Sequence, residues 1–300
     1  MQRKTERLAS LMPGNHANIV PFESLACPLD GEALQCDEKT CRCPRGHSFD
    51  RARQGYVHLL PVQKKRSKDP GDSKAMVAAR QRFLEAAYYR PIADAVAREV
   101  LKHAPEEKPL ACLDAGCGEG YYLRHLMSEA EEGRCLSLLG LDISKWAVLA
   151  AARKDRRADW VVGSNANLPV LPGSVDRVLC LFGFPVYAEF ARVLRPGGRL
   201  IQVDAGQGHL KELREVVYPE VRSEPRSVNP VPDGFRRVAT QDLHFTVHLE
   251  GAEAIADLLA MTPHLYRASA EGREKAAALD TLSVTVDVCL QVFERYGPAS

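Results

Sequence analysis

Nowhere in its 300 residues does the chain hold an apolar run near the roughly 20 residues that a membrane helix needs. Residues 1–20 interleave Arg3, Lys4, Glu6 and Arg7 where a secretory leader would be apolar. Neither a membrane segment nor a leader is expected on these grounds, and the chain reads as cytoplasmic. A strong net charge is lacking too: 40 Lys and Arg stand against 39 Asp and Glu, so a formal charge of +1 gives no global attraction to nucleic acid. Any basic surface must be local. No internal repeat is visible, and 45% hydrophobic with 26% charged residues excludes disorder over most of the length while allowing one large domain or two modest ones.

Cysteine is plentiful and unevenly placed. Of nine, four cluster at Cys27, Cys36, Cys41 and Cys43, whereas the other five are scattered, Cys117 in a glycine-rich turn and Cys112, Cys135, Cys180 and Cys289 in apolar runs like small core residues. Disulfides are disfavoured in the cytosol, so the cluster points to metal. Cys27-Pro28-Leu29-Asp30 and Cys43-Pro44-Arg45-Gly46-His47 set thiolate and imidazole ligands on two turns, a typical zinc set. The fourth ligand is Asp30, Cys36 or Cys41. Asp30 is favoured because it occupies the second half of a Cys-x-x-Cys knuckle, and a cluster of free thiols is the alternative. The segment is too short to hold a core alone, which argues for a metal staple independently of any motif.

Four zones follow along the chain. Residues 1–23 read as a flexible extension broken at Pro13-Gly14-Asn15, residues 24–60 as short strands and turns around the cysteine cluster, and residues 61–90 as a basic linker with a helix. Between Arg51 and Arg90 ten Lys or Arg face three acids, half of the excess lying in Lys64-Lys65-Arg66-Ser67-Lys68. Asp69-Pro70-Gly71-Asp72-Ser73 then gives a turn and a helix start, with an apolar stripe running to about Tyr89. Residues 91–300 form the fourth zone. From Leu110 apolar runs of strand length (110–115, 138–143, 159–162, 175–182, 198–203) alternate with helical stretches (121–131, 145–154), which predicts a parallel sheet with helices on both faces. Residues 242–249 and 282–293, separated by a helix near 252–261, extend that sheet.

The run Leu113-Asp114-Ala115-Gly116-Cys117-Gly118-Glu119-Gly120 places glycines where a strand turns into a helix, so that a ligand can approach backbone N–H groups. The second strand ends in Leu141-Asp142-Ile143-Ser144, whose carboxylate can accept both ribose hydroxyls of a nucleoside. Asp114 and Glu119 would repel a pyrophosphate in that turn, whereas S-adenosylmethionine brings an ammonium and a sulfonium. The Asp-x-Gly-x-Gly turn, Asp142, Ser164-Asn165 and Leu194-Arg195-Pro196-Gly197-Gly198 together resemble class I S-adenosylmethionine-dependent methyltransferases over about residues 91–295. That resemblance implies a Rossmann-like, seven-stranded α/β sheet with a small N-terminal zinc-binding domain. It also implies that Asp142 holds the ribose, Asn165 lies near the adenine, and Gly116 and Gly118 pass the methionine moiety.

From Cys27 through Gly55-Tyr56-Val57-His58-Leu59-Leu60-Pro61-Val62-Gln63, Lys65-Arg66-Ser67 and Asp69 to Ser73, the chain strongly resembles the 23S ribosomal RNA guanine-N1 methyltransferases, the match spanning nearly all of residues 25–297. The resemblance implies methyl transfer to a guanine in one hairpin loop of that RNA, zinc on Cys27, Cys43 and His47 with Asp30 where the family has a fourth cysteine, and a homodimer. It implies cofactor contacts at Tyr89, Gly118, Glu119 and His209. Lys64, Lys65 and Arg66 fit phosphate neutralisation. Phe184 and Pro185 of Phe182-Gly183-Phe184-Pro185 are the candidate walls for the target base, Phe182 reading as core. The alternative is the same cofactor site acting on a small molecule or a protein. A general base is not identifiable from sequence.

Overall fold

The computed structural model describes residues 17–61, 67, 69–105, 107–220 and 230–297. Lys64, Lys65 and Arg66 therefore lie outside the described residues. The elements run β1 (Asn18–Val20), β2 (Gln35–Cys36), β3 (Thr40–Arg42), β4 (Ser48–Asp50), β5 (Val57–His58), α1 (Lys74–Glu85), α2 (Arg90–Leu101), β6 (Leu110–Ala115), α3 (Tyr121–Glu129), β7 (Cys135–Asp142) and α4 (Lys145–Lys154). They continue with β8 (Asp159–Val162), β9 (Val175–Leu181), α5 (Tyr187–Val193), β10 (Leu194–Ala205), α6 (Lys211–Val217), β11 (Phe235–Glu250), α7 (Ala252–Ala260), α8 (His264–Arg267), α9 (Ala270–Ala277) and β12 (Thr281–Arg295).

The large sheet has the order β11-β12-β10-β9-β6-β7-β8-β5, with β1 added alongside β7. The expected seven-stranded sheet is β6 to β12, and the two additions make nine. β6 to β10 run parallel, and β12 turns antiparallel against β10 before pairing along β11. Strand order reverses between β6 and β9, and in an open α/β sheet a ligand crevice forms at the carboxyl ends of such strands.

Two apolar cores cover the sheet's faces. Val178, Cys180, Leu113 and Phe190 belong to one; Leu179, Leu181, Val203 and Trp160 belong to the other. Glycine makes room for Trp160: a Cβ at Gly140 would stand 2.3 Å from its ring, and one at Gly120 would stand 2.4 Å away. The indole N–H donates to Asp155 O at 2.7 Å, so the largest buried side chain leaves no polar group unpaired.

Several expectations are corrected. The extension predicted for residues 1–23 ends earlier, because Asn18–Val20 pairs parallel with Cys135–Ser137 of β7. The small N-terminal unit is present as expected and in addition joins the large sheet: Val57–His58 pairs with Val161–Val162, and Ala26 N–H donates to Pro169 O at 2.9 Å. Cys36 and Cys41 form a disulfide, against the expectation for a cytosolic chain; they face each other across the β2–β3 pair. Neither is then a fourth metal ligand. Helix α1, capped by Ser73 accepting from Met76 N–H, stops at Glu85 rather than Tyr89.

Candidate active site

At the crevice, three of the motif's glycines take left-handed φ, Gly116 at 105°, Gly118 at 56° and Gly120 at 81°, a backbone that side chains resist. The N–H groups of Gly116 and Cys117 both donate to Leu141 O, at 2.8 and 2.9 Å, which ties the turn to the end of β7. Gly118 N–H donates to Asp142 Oδ2 at 2.9 Å and Ser144 N–H to Asp142 Oδ1 at 2.8 Å. Burial raises the Asp142 carboxyl, while these two N–H groups oppose the rise. Each of its oxygens keeps a second lone pair, as holding a ribose requires.

Asp114 is 1% exposed, and its Oδ2 has no hydrogen-bond partner. Burial, then the Asp142 charge, pushes its carboxyl up to about 8. Glu119 is also raised by burial, against the pull of Arg124, whose Nη2 lies 2.6 Å from Oε2; its Oε1 is buried without a partner. Asn165 Nδ2 donates to Ala115 O at 3.2 Å, leaving Oδ1 buried and unpaired. Three unpaired acceptors around a glycine turn fit a ligand that brings donors and positive charge. S-adenosylmethionine carries an ammonium, ribose hydroxyls and an adenine amine, so its chemistry suits this donor-poor cradle.

Tyr89 Oη lies 3.3 Å from His209 Nε2. His209 Nδ1 accepts from Asp287 N–H at 3.3 Å, and burial, opposed by Asp287, lowers its imidazole to about 4. A neutral ring that accepts at Nδ1 carries its proton on Nε2, so His209 donates to Tyr89 Oη and the phenol keeps its hydrogen to give. The His209 turn is tight: a Cβ on Gly206 would stand 2.4 Å from Asp287 Oδ2, and Gly208 N–H donates to that oxygen at 2.8 Å.

Two features were missed from sequence. Phe182, read as core, is 40% exposed and has a left-handed φ of 54°. Its ring stacks 6.0 Å from Tyr89 and 5.8 Å from His209. Phe184 stands 92% exposed beside half-buried Pro185. The second feature is the place of the Asp69–Ser73 turn, itself read from sequence, against the end of β7: Ser144 Oγ donates to Asp72 O at 2.7 Å, and a Cβ on Gly71 would come within 2.9 Å of Ile143 and Ser144. Arg80 is ion-paired with Asp72 beside Gly118.

About the knuckle, the donor atoms of Cys27, Asp30, Cys43 and His47 all lie within 4.8 Å of one another. His47 Nδ1 is 3.5 Å from Cys27 Sγ, 3.4 Å from Cys43 Sγ and 2.9 Å from Asp30 Oδ2, and Cys43 Sγ is 3.2 Å from Asp30 Oδ2. Tetrahedral zinc with ordinary bond lengths separates its ligands by about 3.3 to 3.8 Å, so the cluster needs only a small expansion. Burial pushes the Cys27 thiol up to about 11. Burial also opposes ionisation of Asp30, but Glu32 N–H with Cys27, Cys43 and His47 outweigh it and hold the carboxyl at about 2. Asp30 thus offers a charged oxygen where a thiol would first have to lose its proton.

A zinc-ribbon profile described as RlmA, N-terminal, matches residues 25–68, and a methyltransferase-domain profile matches residues 113–202. The glycine crevice on this sheet belongs to an S-adenosylmethionine-dependent methyltransferase domain, here preceded by a zinc ribbon. The chain is 34% identical to the 23S rRNA (guanine(748)-N(1))-methyltransferase of Streptomyces fradiae, over 91% of this chain and 98% of that one. A Bacillus subtilis (strain 168) protein, YxjB, with the provisional name 23S rRNA (guanine-N(1)-)-methyltransferase, is 30% identical over 90% and 96%. A Micromonospora griseorubida protein with the same provisional name is 37% identical over 66% and 70%. The chain belongs to the family of 23S rRNA guanine-N1 methyltransferases. Among the described residues no helix is long and apolar enough to cross a membrane.

Proposed function

We propose that the protein transfers a methyl group from S-adenosylmethionine to N1 of a guanine in a hairpin loop of 23S ribosomal RNA. The observation that carries this is the similarity running through both the ribbon and the catalytic half, 98% of the Streptomyces fradiae relative being covered. A methyltransferase domain alone would leave the acceptor open. The bound cofactor supplies an electrophilic methyl on a sulfonium. Asp142, Asn165, Asp114, Glu119, Gly116 and Gly118 form its cradle, and Tyr89 and His209 add further contacts. Cys27, Asp30, Cys43 and His47 hold zinc, and the ribbon so fixed hydrogen-bonds the loop between β8 and β9 through Asn167 Nδ2 to Pro28 O at 3.3 Å. Zinc binding therefore steadies the loop that carries Asn165.

Lys64, Lys65 and Arg66 neutralise RNA phosphates, and Phe184 with Pro185 borders the acceptor base. Held there, the cofactor would supply the methyl that guanine N1 takes up, sulfur keeping the carbon–sulfur electron pair and N1 giving up its proton. Positioning supplies most of the rate. A cytoplasmic homodimer completes the reading. The test is incubation with labelled cofactor and unmodified 23S RNA, followed by mass spectrometry of the nucleosides. 1-Methylguanine in one hairpin is the expected product; cofactor binding without transfer to RNA overturns the assignment in favour of a small-molecule or protein acceptor.

A further inference from the structure

Side chains of β9 alternate between the sheet's two cores: Val178 and Cys180 enter one, Leu179 and Leu181 the other. Continued extension would send Phe182 into the core that holds Val178 and Cys180. Its backbone stays in register, Phe182 N–H donating to Val203 O at 2.9 Å, but φ of 54° swings the side chain to the opposite face. There the ring meets Tyr89 and His209. A left-handed conformation in a bulky non-glycine residue is disfavoured and persists where the surroundings over-determine it, most often at functional sites.

The three rings differ in depth. Tyr89 is 3% exposed, His209 is half-buried, and Phe182 is 40% exposed. Phe182 is thus the most exposed ring of the three, at the end of a strand that neighbours β6 and its glycine turn. An acceptor entering from solvent meets this ring before it meets half-buried His209 and buried Tyr89. Its apolar face carries no hydrogen-bonding demand, and every base has a π-face to lay on it.

We infer that Phe182 is the positioning residue for the acceptor: its ring stacks the unpaired target guanine and so places N1 opposite the methyl group. This rests on the RNA methyltransferase reading above. Phe184 then stands at the rim as a second wall, while Tyr89 and His209 serve the cofactor alone.

The test uses the full-length protein and compares Phe182→Gly and Phe182→Tyr with wild type in three measurements. These are S-adenosylhomocysteine affinity by calorimetry, kcat and KM for an RNA hairpin, and thermal midpoint. Glycine accepts the left-handed backbone without strain, so Phe182→Gly keeps its midpoint while losing the ring. The expected result is a 10- to 100-fold loss of kcat/KM for RNA, about the worth of one base–aromatic stack, with cofactor affinity held within about 3-fold and activity restored in Phe182→Tyr. A loss of cofactor affinity with KM for RNA unchanged would make Phe182 a cofactor wall and overturn the inference, as would full RNA activity in the glycine variant. A large fall in midpoint would make it a core residue and overturn the inference equally. Absence of RNA methylation by the wild-type protein would instead sink the functional reading, a separate outcome.

Discussion

Replacing Asp114 with asparagine isolates what this buried carboxylate costs the fold. In the folded chain its carboxyl is pushed from 3.8 up to about 8, first by burial and then by Asp142. An unfolded chain releases that proton near pH 4, so across the window from 3.8 to about 8 the folded state binds more protons than the unfolded one. The sign follows: stability falls as pH rises through the window and levels off above it. Between about pH 4 and pH 7 the loss is about 4 kcal/mol. Asparagine has the same shape without the charge, so Asp114→Asn lacks this slope.

With an unfolding entropy of about 2.1 cal/mol/K per residue, a chain of this size loses roughly 6 °C of thermal midpoint for 4 kcal/mol. Thermal unfolding of both proteins without cofactor, from about pH 5 to pH 8, measures the effect. The two curves are expected to diverge as pH rises, with the variant the more stable by several degrees at the alkaline end. Its affinity for S-adenosylhomocysteine should fall at the same time, because the unpaired Oδ2 is the acceptor it would have offered. Midpoints that run parallel through the whole range would refute the reasoning, since they would mean that Asp114 titrates alike in the folded and unfolded chains.

Three further outcomes are expected. Cys43→Ala and Asp30→Ala should each drop zinc from about one per chain to near zero by elemental analysis, because structural sites are four-coordinate; retention of zinc in Asp30→Ala would remove the carboxylate from the ligand set. Gly71→Ala should weaken cofactor binding several-fold in calorimetry, since a backbone φ of 81° disfavours a side chain and the added Cβ would push the turn off Ile143 and Ser144 beside Asp142. Lys64→Ala, Lys65→Ala and Arg66→Ala combined should weaken RNA binding and reduce the slope of log affinity against log salt by roughly 3, while leaving cofactor affinity as it was.

Features with local causes were legible in the sequence. Strands β6 to β9 follow from apolar runs of strand length, and the cofactor turn from glycines that only a strand-to-helix reversal requires. The gathering of Cys27, Cys43 and His47 follows from two short turns, and that of Asp30 from its place within one of them. Strands β1 and β5 were not legible, because at three and two residues they carry no periodicity and exist only through partners more than 100 residues away. The Cys36–Cys41 disulfide was read against, since the cytosolic prior outweighed a spacing of five residues that a two-strand turn satisfies.

The active site divides along the same line. Asp114, Gly116, Gly118 and Asp142 are fixed by their own strand ends and so leave a local pattern. Tyr89 and His209 stand 120 residues apart, and each alone reads as an ordinary core tyrosine or surface histidine; only the family resemblance brought them forward. The segment 182–185 was legible but the direction of Phe182 was not, because a left-handed φ in phenylalanine has no sequence signature and the preceding alternation argues for the wrong face. Residues that a fold holds against their local preference are the ones a sequence pattern misplaces. They are also where the surrounding structure has spent stability on a particular orientation, so the error at Phe182 is itself the reason to look for substrate there.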